Sequence, residues 1–124
     1  MTPPGGSKTA QGYELQMGTN VLGSFLLTKL LLPIIEKTAA SSPAGSTRVT
    51  FAGSLAVDLM SPTGAVTWTN GEPTVHSSQQ TNYGQSKAGN ALLASALRRR
   101  YGKSGIISNA WNPGNLKSEL QRHQ

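Results

Sequence analysis

Arg48-Val49-Thr50-Phe51-Ala52-Gly53 is short, β-branched and bounded by turn residues, so it reads as a buried strand. Gly105-Ile106-Ile107-Ser108-Asn109-Ala110-Trp111 reads as a second strand, closed by the turn signal Asn112-Pro113-Gly114-Asn115. Between them, from about Ser78 to Tyr101, a helix is expected. Ser77 or Ser78 can cap its start, and Gly102 is placed to end it. Its middle is dominated by small residues (Gly84, Ser86, Ala88, Gly89, Ala91, Ala94, Ser95, Ala96), which permit close helix packing. Strand, helix and strand in this order fit a right-handed βαβ unit with two parallel strands.

Working outward, residues 1–10 read as a flexible lead-in of Thr, Pro, Gly and Ser. From about Gln11 to Thr38 a helical pattern places Leu15, Leu22, Phe25, Leu26 and Leu30 on one side. Pro33 has no N–H to give the Lys29 carbonyl, so a kink or an early end is expected there. Residues 39–47 are a loop by composition. Residues 54–78 are rich in Pro, Gly, Thr and Ser without a clear period. A structureless stretch of that length inside a compact domain is unusual and often functional. The order helix, strand, helix, strand gives the class α/β. Two parallel strands make a poor sheet, because such sheets are covered on both faces and need three or more strands. The chain is therefore expected to complete its sheet with a partner or to be a piece of something larger.

The length, 124 residues, is that of about one domain. With 36% hydrophobic and 13% charged residues, a coiled coil and a collagen-like repeat are both excluded. There is no cysteine, which excludes a disulfide framework, a thiolate zinc site and a catalytic Cys, and leaves the compartment open, the cytoplasm included. No uninterrupted run of 18 apolar residues occurs, so no transmembrane segment is expected. Lys and Arg number 11 against 5 Asp and Glu, a net charge of +6. Arg98-Arg99-Arg100 and Lys103 account for much of the local density. They read better as cations at a helix C-terminus than as a nucleic-acid patch, since no aromatic residues are interleaved with them. No nucleic-acid partner is expected.

Four positions bear on chemistry. Tyr83 and Lys87 are four apart on the second helix and so share a face. An ammonium several ångströms from a phenol favours the phenolate, and such a phenol can pass a proton to or from an alcohol or ketone oxygen. Ser54 directly follows the first strand, where open α/β sheets bind ligands, and Pro113-Gly114 follows the second strand at the same edge. Asn20 lies within the first helix, where an Asn is neutral to unfavourable, and it could hold a water or a backbone group. Taken singly, each has a plain reading as a surface pair, a loop start, a turn or an exposed Asn.

Together, in sequence order, they carry a resemblance. Tyr83-Gly84-Gln85-Ser86-Lys87 matches the Tyr-x-x-x-Lys motif of the short-chain dehydrogenase/reductase family. Thr19-Asn20-Val21-Leu22-Gly23 resembles that family's Asn-bearing helix. Arg48 to Ser54 resembles its strand ending in the active-site Ser, and Asn112 to Ser118 resembles its Pro-Gly segment. Tyr13-Glu14-Leu15-Gln16 and Phe25-Leu26-Leu27-Thr28 look most like the retinol-dehydrogenase-like branch. The resemblance spans roughly residues 11–120.

It implies the C-terminal part of a Rossmann fold, a partial NAD(P)-binding domain built on a doubly wound parallel sheet. It implies an oxidoreductase that interconverts an alcohol and a carbonyl of a small-molecule substrate. Tyr83 would be the acid/base. Lys87 would favour the phenolate and hydrogen-bond the nicotinamide ribose. Ser54 would hold the substrate oxygen, and Asn20 would anchor a water. Pro113, Gly114 and Ser118 would touch the nicotinamide end, and residues 54–78 would be the substrate-side loop. The sequence departs from the family pattern at Gly53, where a Ser is usual. The Gly-rich phosphate loop and the residue choosing NAD or NADP are not in the chain. By the resemblance, roughly 90–100 residues would lie upstream of Met1. An alternative follows: a truncated, inactive fragment acting only through packing or through a homodimer made by the two long helices. No metal is implied.

Overall fold

The computed structural model describes residues 3–114 and 116–119. Helix α1 (Leu15–Met17) passes through a π turn (Gly18–Leu22) into α2 (Gly23–Ala40). The start lies later than Gln11 because Glu14 caps the helix, its carboxylate accepting the Gln16 and Met17 N–H groups at 3.0 and 2.7 Å. The residues before it bond to one another instead, with Thr9 N–H on the Tyr13 carbonyl and Leu15 N–H on the Ser7 carbonyl. Pro33 does not end α2, which runs on to Ala40. Proline removes one rung of the ladder, and on a helix this exposed water can reach the freed carbonyl.

From Leu15 to Ala40 the mean hydropathy reaches 1.5, long and apolar enough to cross a membrane by length and composition. No uninterrupted apolar run marks it, because polar residues such as Lys29 interrupt the run without lowering the mean enough. It is weak evidence for a span, since helices packed on protein pass the same test. Here Asn20 ties this helix to the next long one, and α2 flanks the sheet.

Strand β1 (Thr47–Ala52) leads into the stretch read as structureless, which in fact holds α3 (Ala56–Met60) and a hairpin of β2 (Trp68–Thr69) and β3 (Glu72–Pro73). The hairpin closes on Asn70-Gly71, both with positive φ (54° and 84°), as a two-residue turn of this twist requires. The Asn-Gly pair is itself a hairpin signal, set in a stretch that otherwise shows no clear period. Helix α4 (Gln79–Tyr101) follows, with the Ser78 hydroxyl accepting the Thr81 N–H and Gly102 at its C-cap. Arg98, Arg99 and Arg100 sit in its exposed last turn, where the macrodipole favours them.

Strand β4 (Ile106–Trp111) pairs with β1 in parallel, in register from Thr47–Ile106 to Ala52–Trp111. The architecture is α/β, a parallel strand pair flanked by helices, as in part of a Rossmann-like fold. The core lies between the sheet and α4: Phe51, Ala94 and Leu97 are buried, with Leu32, Val49, Leu93, Tyr101 and Ala110 packed round them. The accessible surface is 8078 Å², against roughly 6,300 Å² expected for a monomer of this mass. Large apolar side chains contribute to the exposed surface. Leu26, Leu27, Leu30 and Ile34 stand in the open along α2.

Candidate active site

The buried face of α4 is largely polar in its N-terminal half and apolar beyond, where Ala94 and Leu97 join the core. Asn82, Tyr83, Gln85, Ser86 and Asn90 are all buried on the polar part, together with Gly84. Gly84 is what lets α3 lie against them: a Cβ at this position would stand 2.6 Å from Met60 C and Ser61 N. The segment that begins at Ser54 is thereby seated directly on the turn that carries Tyr83.

Tyr83 is 6% exposed. The Lys87 ammonium stands over its ring, 5.7 Å from the centroid, within the range of cation–π attraction. Lys87 Nζ also donates to the Ala52 carbonyl at 3.1 Å, and Asn90 Nδ2 donates to the same oxygen at 3.1 Å. The Gly53 N–H bonds to Trp111 O on β4, so the Ala52 carbonyl faces the opposite, free edge of β1. Partial burial pushes the Lys87 amine below its ordinary 10.5, because desolvation penalises the charged form. A groove of about 300 Å³ runs along this edge, lined among others by Asn20, Thr50, Lys87 and Asn90. Asn90 Oδ1 is buried beside Lys87 with no partner among the described residues.

Asn20 sits in the π turn, a form that recurs at functional sites. Its Nδ2 donates to Ser86 Oγ at 2.9 Å, and that hydroxyl donates to the Tyr83 carbonyl at 2.8 Å. The two long helices are thus joined at the residue next to Lys87. Ser54 is half-buried just beyond β1, and its Oγ accepts the Ala56 N–H at 3.2 Å. That leaves its own proton free to donate. The departure at Gly53 has a local reason: a Cβ there would approach Trp111 O to 3.1 Å, closer than side chains ordinarily tolerate.

Pro113 and Gly114 follow β4 at the same end of the sheet as Ser54. Gly114 N–H donates to Asn112 Oδ1 at 3.1 Å, and nothing lies within 4 Å of where its Cβ would be. Ser118 is exposed in the segment beyond. Asn115 and residues 120–124 lie outside the described residues.

Sequence reading singled out the Tyr83–Lys87 pair but passed over its neighbours Asn82 and Gln85. Each is 2% exposed and bonded to the 67–76 segment. The available signal was two carboxamides inside a helix, beside a residue already marked for chemistry.

The chain is 48% identical over 98% of its length to a short-chain dehydrogenase/reductase of Phomopsis amygdali, of which it spans 37%. It is 44% identical over 98% of its length to a short-chain dehydrogenase/reductase of Emericella nidulans, spanning 39% of that protein. An uncharacterized oxidoreductase of Schizosaccharomyces pombe is 37% identical over 99% of the chain, which spans 36% of it. No family model and no solved structure matches the chain.

Proposed function

The chain belongs to the short-chain dehydrogenase/reductase family, and from that premise we propose that it carries the proton-transfer station of an NAD(P)-dependent oxidoreductase site interconverting an alcohol and a carbonyl. The observation that supports this most is the buried Tyr83 phenol with the Lys87 ammonium 5.7 Å from its ring centroid, behind the C-terminal end of β1.

In this reading Tyr83 Oη gives its proton to the carbonyl oxygen in reduction and takes it from the alcohol in oxidation. Ser54, its Oγ already accepting from Ala56 N–H, donates its own proton to the same substrate oxygen. Asn20 spends Nδ2 on Ser86 and keeps Oδ1 to hold a water. A bound nicotinamide dinucleotide supplies hydride exchange. The residues present suit its nicotinamide–ribose end. Lys87 uses one donor on Ala52 and retains two for ribose hydroxyls. The unpartnered Asn90 Oδ1 lies beside it, and Pro113 and the open backbone at Gly114 flank the strand ends. Ser118 is assigned to the same end.

The test is a chimera in which this chain replaces the homologous part of the Phomopsis amygdali relative, with that relative as the control. Turnover of a panel of alcohols and carbonyls, dependent on NAD(P), is expected. Tight dinucleotide binding without turnover of any of them, while the control is active, would overturn the reading.

One observation favours a second reading, association without catalysis. The row Leu26, Leu27, Leu30 and Ile34 is open, with Leu30 69% exposed, a patch of the kind that marks interaction surfaces. A homodimer through α2 and α4 would cover it, and sedimentation of Leu30→Glu beside the unaltered chain tests that.

A further inference from the structure

Two carboxamides on α4 bracket Tyr83, and both are spent on the segment that returns from Ser54 to the helix. Asn82 Nδ2 donates to the His76 carbonyl at 2.9 Å, and its Oδ1 accepts the His76 N–H at 2.8 Å. One side chain thus makes the pair of bonds that neighbouring strands exchange. Gln85 Oε1 accepts the Thr67 N–H at 2.9 Å and the Thr67 hydroxyl at 3.1 Å, while its Nε2 donates to the Thr74 carbonyl at 2.9 Å. Backbone partners of opposite polarity fix which end of each amide carries oxygen. His76 Nε2 closes the cluster, 3.0 Å from Thr67 Oγ1.

Apart from the Thr67 hydroxyl and a long contact of 3.4 Å between His76 Nε2 and Gln85 Oε1, every loop group these amides bond is main chain. The loop's side chains are left to other uses. Trp68 is 64% exposed and Val75 63%. Together with Glu72 they line a cavity of about 580 Å³, which Gln85 and Tyr13 also border. A loop held by its side chains could not change its lining without losing its path. A loop held by its backbone can.

We infer that Asn82 and Gln85 are positioning residues that fix the backbone of residues 67–76 beside Tyr83 and leave that segment's side chains free to select the substrate. The geometry stands on its own; the consequence for substrate choice rests on the oxidoreductase reading. Buried amides of this kind admit an isosteric test. Gln85→Glu and Asn82→Asp keep the shape but turn a carboxylate oxygen against the Thr74 or His76 carbonyl, and the lost donor becomes a repulsion.

The measurement is amide hydrogen exchange in the full chain, read at Thr67 and His76, with Gly53 as reporter of the β1–β4 ladder. Gln85→Glu is expected to cut protection at Thr67 by about tenfold or more, and Asn82→Asp to do so at His76, with Gly53 unchanged. At acid pH the introduced carboxyl gains a proton and donates again, so protection relative to the intrinsic rate returns. Trp68→Ala and His76→Ala trim only side chains and leave the amides at 67 and 76 protected; they remain informative if a carboxylate variant fails to fold. Unchanged protection in both carboxylate variants overturns the inference, as does deprotection by the side-chain variants. In the chimera, the carboxylate variants are expected to raise KM for substrate more than they lower kcat, and Trp68→Ala to reorder substrate preference. Loss of kcat with KM unchanged overturns the positioning role. Absence of turnover with the exchange pattern intact sinks the catalytic reading alone.

Discussion

The Lys87 ammonium lies over the face of the Tyr83 ring, 5.7 Å from its centroid, and is held there by the Ala52 carbonyl at 3.1 Å. One helical turn brings the two residues to the same face, but the carbonyl at the end of β1 sets where the amine points. Strand and helix thus share the construction of the pair. Displacing either one disturbs it.

The half-buried amine makes stability depend on pH in a definite direction. Its value in the folded chain lies below 10.5, the ordinary value it regains on unfolding. Between the two the folded state binds fewer protons, so stability rises with pH across that window, and at neutral pH the desolvation penalty is fully present. In denaturant titrations from neutral pH towards 10.5, the unaltered chain should gain on Lys87→Met. A difference that stays flat or falls would show that burial does not disfavour this charge.

Gly84→Ala should be strongly destabilising despite the better helix propensity of Ala. The added methyl meets backbone at Met60 and Ser61, which cannot rotate away. Overpacking of this kind costs about 1–3 kcal/mol, more than the roughly 1 kcal/mol gained by removing a helical glycine. Gly102→Ala is the control, since its nearest neighbour is the flexible Arg98 side chain at 3.9 Å and its φ is helical at −59°. Chemical denaturation should show the first variant losing stability and the second losing none.

Ser86 is fully buried between Asn20 and the Tyr83 carbonyl. Ser86→Ala leaves the Asn20 amide without its acceptor and should cost about 1–2 kcal/mol. In a double-mutant cycle with Asn20→Ala the two changes should couple by about 1 kcal/mol. Additive effects would mean that the bond does not join the helices in solution.

Gly71→Ala forces a side chain into the left-handed region at φ 84° and should cost about 1–2 kcal/mol of hairpin stability. The loss should show as faster amide exchange confined to residues 67–74. Exchange left unchanged there would contradict the Asn70-Gly71 turn.

Much of the frame was legible because it follows from local chemistry. The β-branched and aromatic run at Val49 to Phe51 and the cap at Ser78 specify elements without help from the rest of the chain. The Tyr83–Lys87 juxtaposition follows from helical spacing. Other features depend on partners far away in sequence. That Gln85 reads Thr67 and Thr74 needs α3 to pack on Gly84 first, and no pattern in the sequence announces that approach. Pro33 does not end α2 because solvent can satisfy the carbonyl it frees on this exposed helix, and that exposure is not written in the local sequence. The hydropathy of Leu15–Ala40 is not visible as an unbroken run, because polar residues such as Ser24 and Lys29 interrupt its apolar stretches while the mean stays high.

The central claim is that Tyr83 handles the substrate proton. In the chimera with the Phomopsis amygdali relative, Tyr83→Phe should lower kcat by about 10²–10⁴ while NAD(P)H binding, followed by nicotinamide fluorescence, stays close to that of the unaltered protein. Turnover undiminished by the loss of that one hydroxyl would contradict the account.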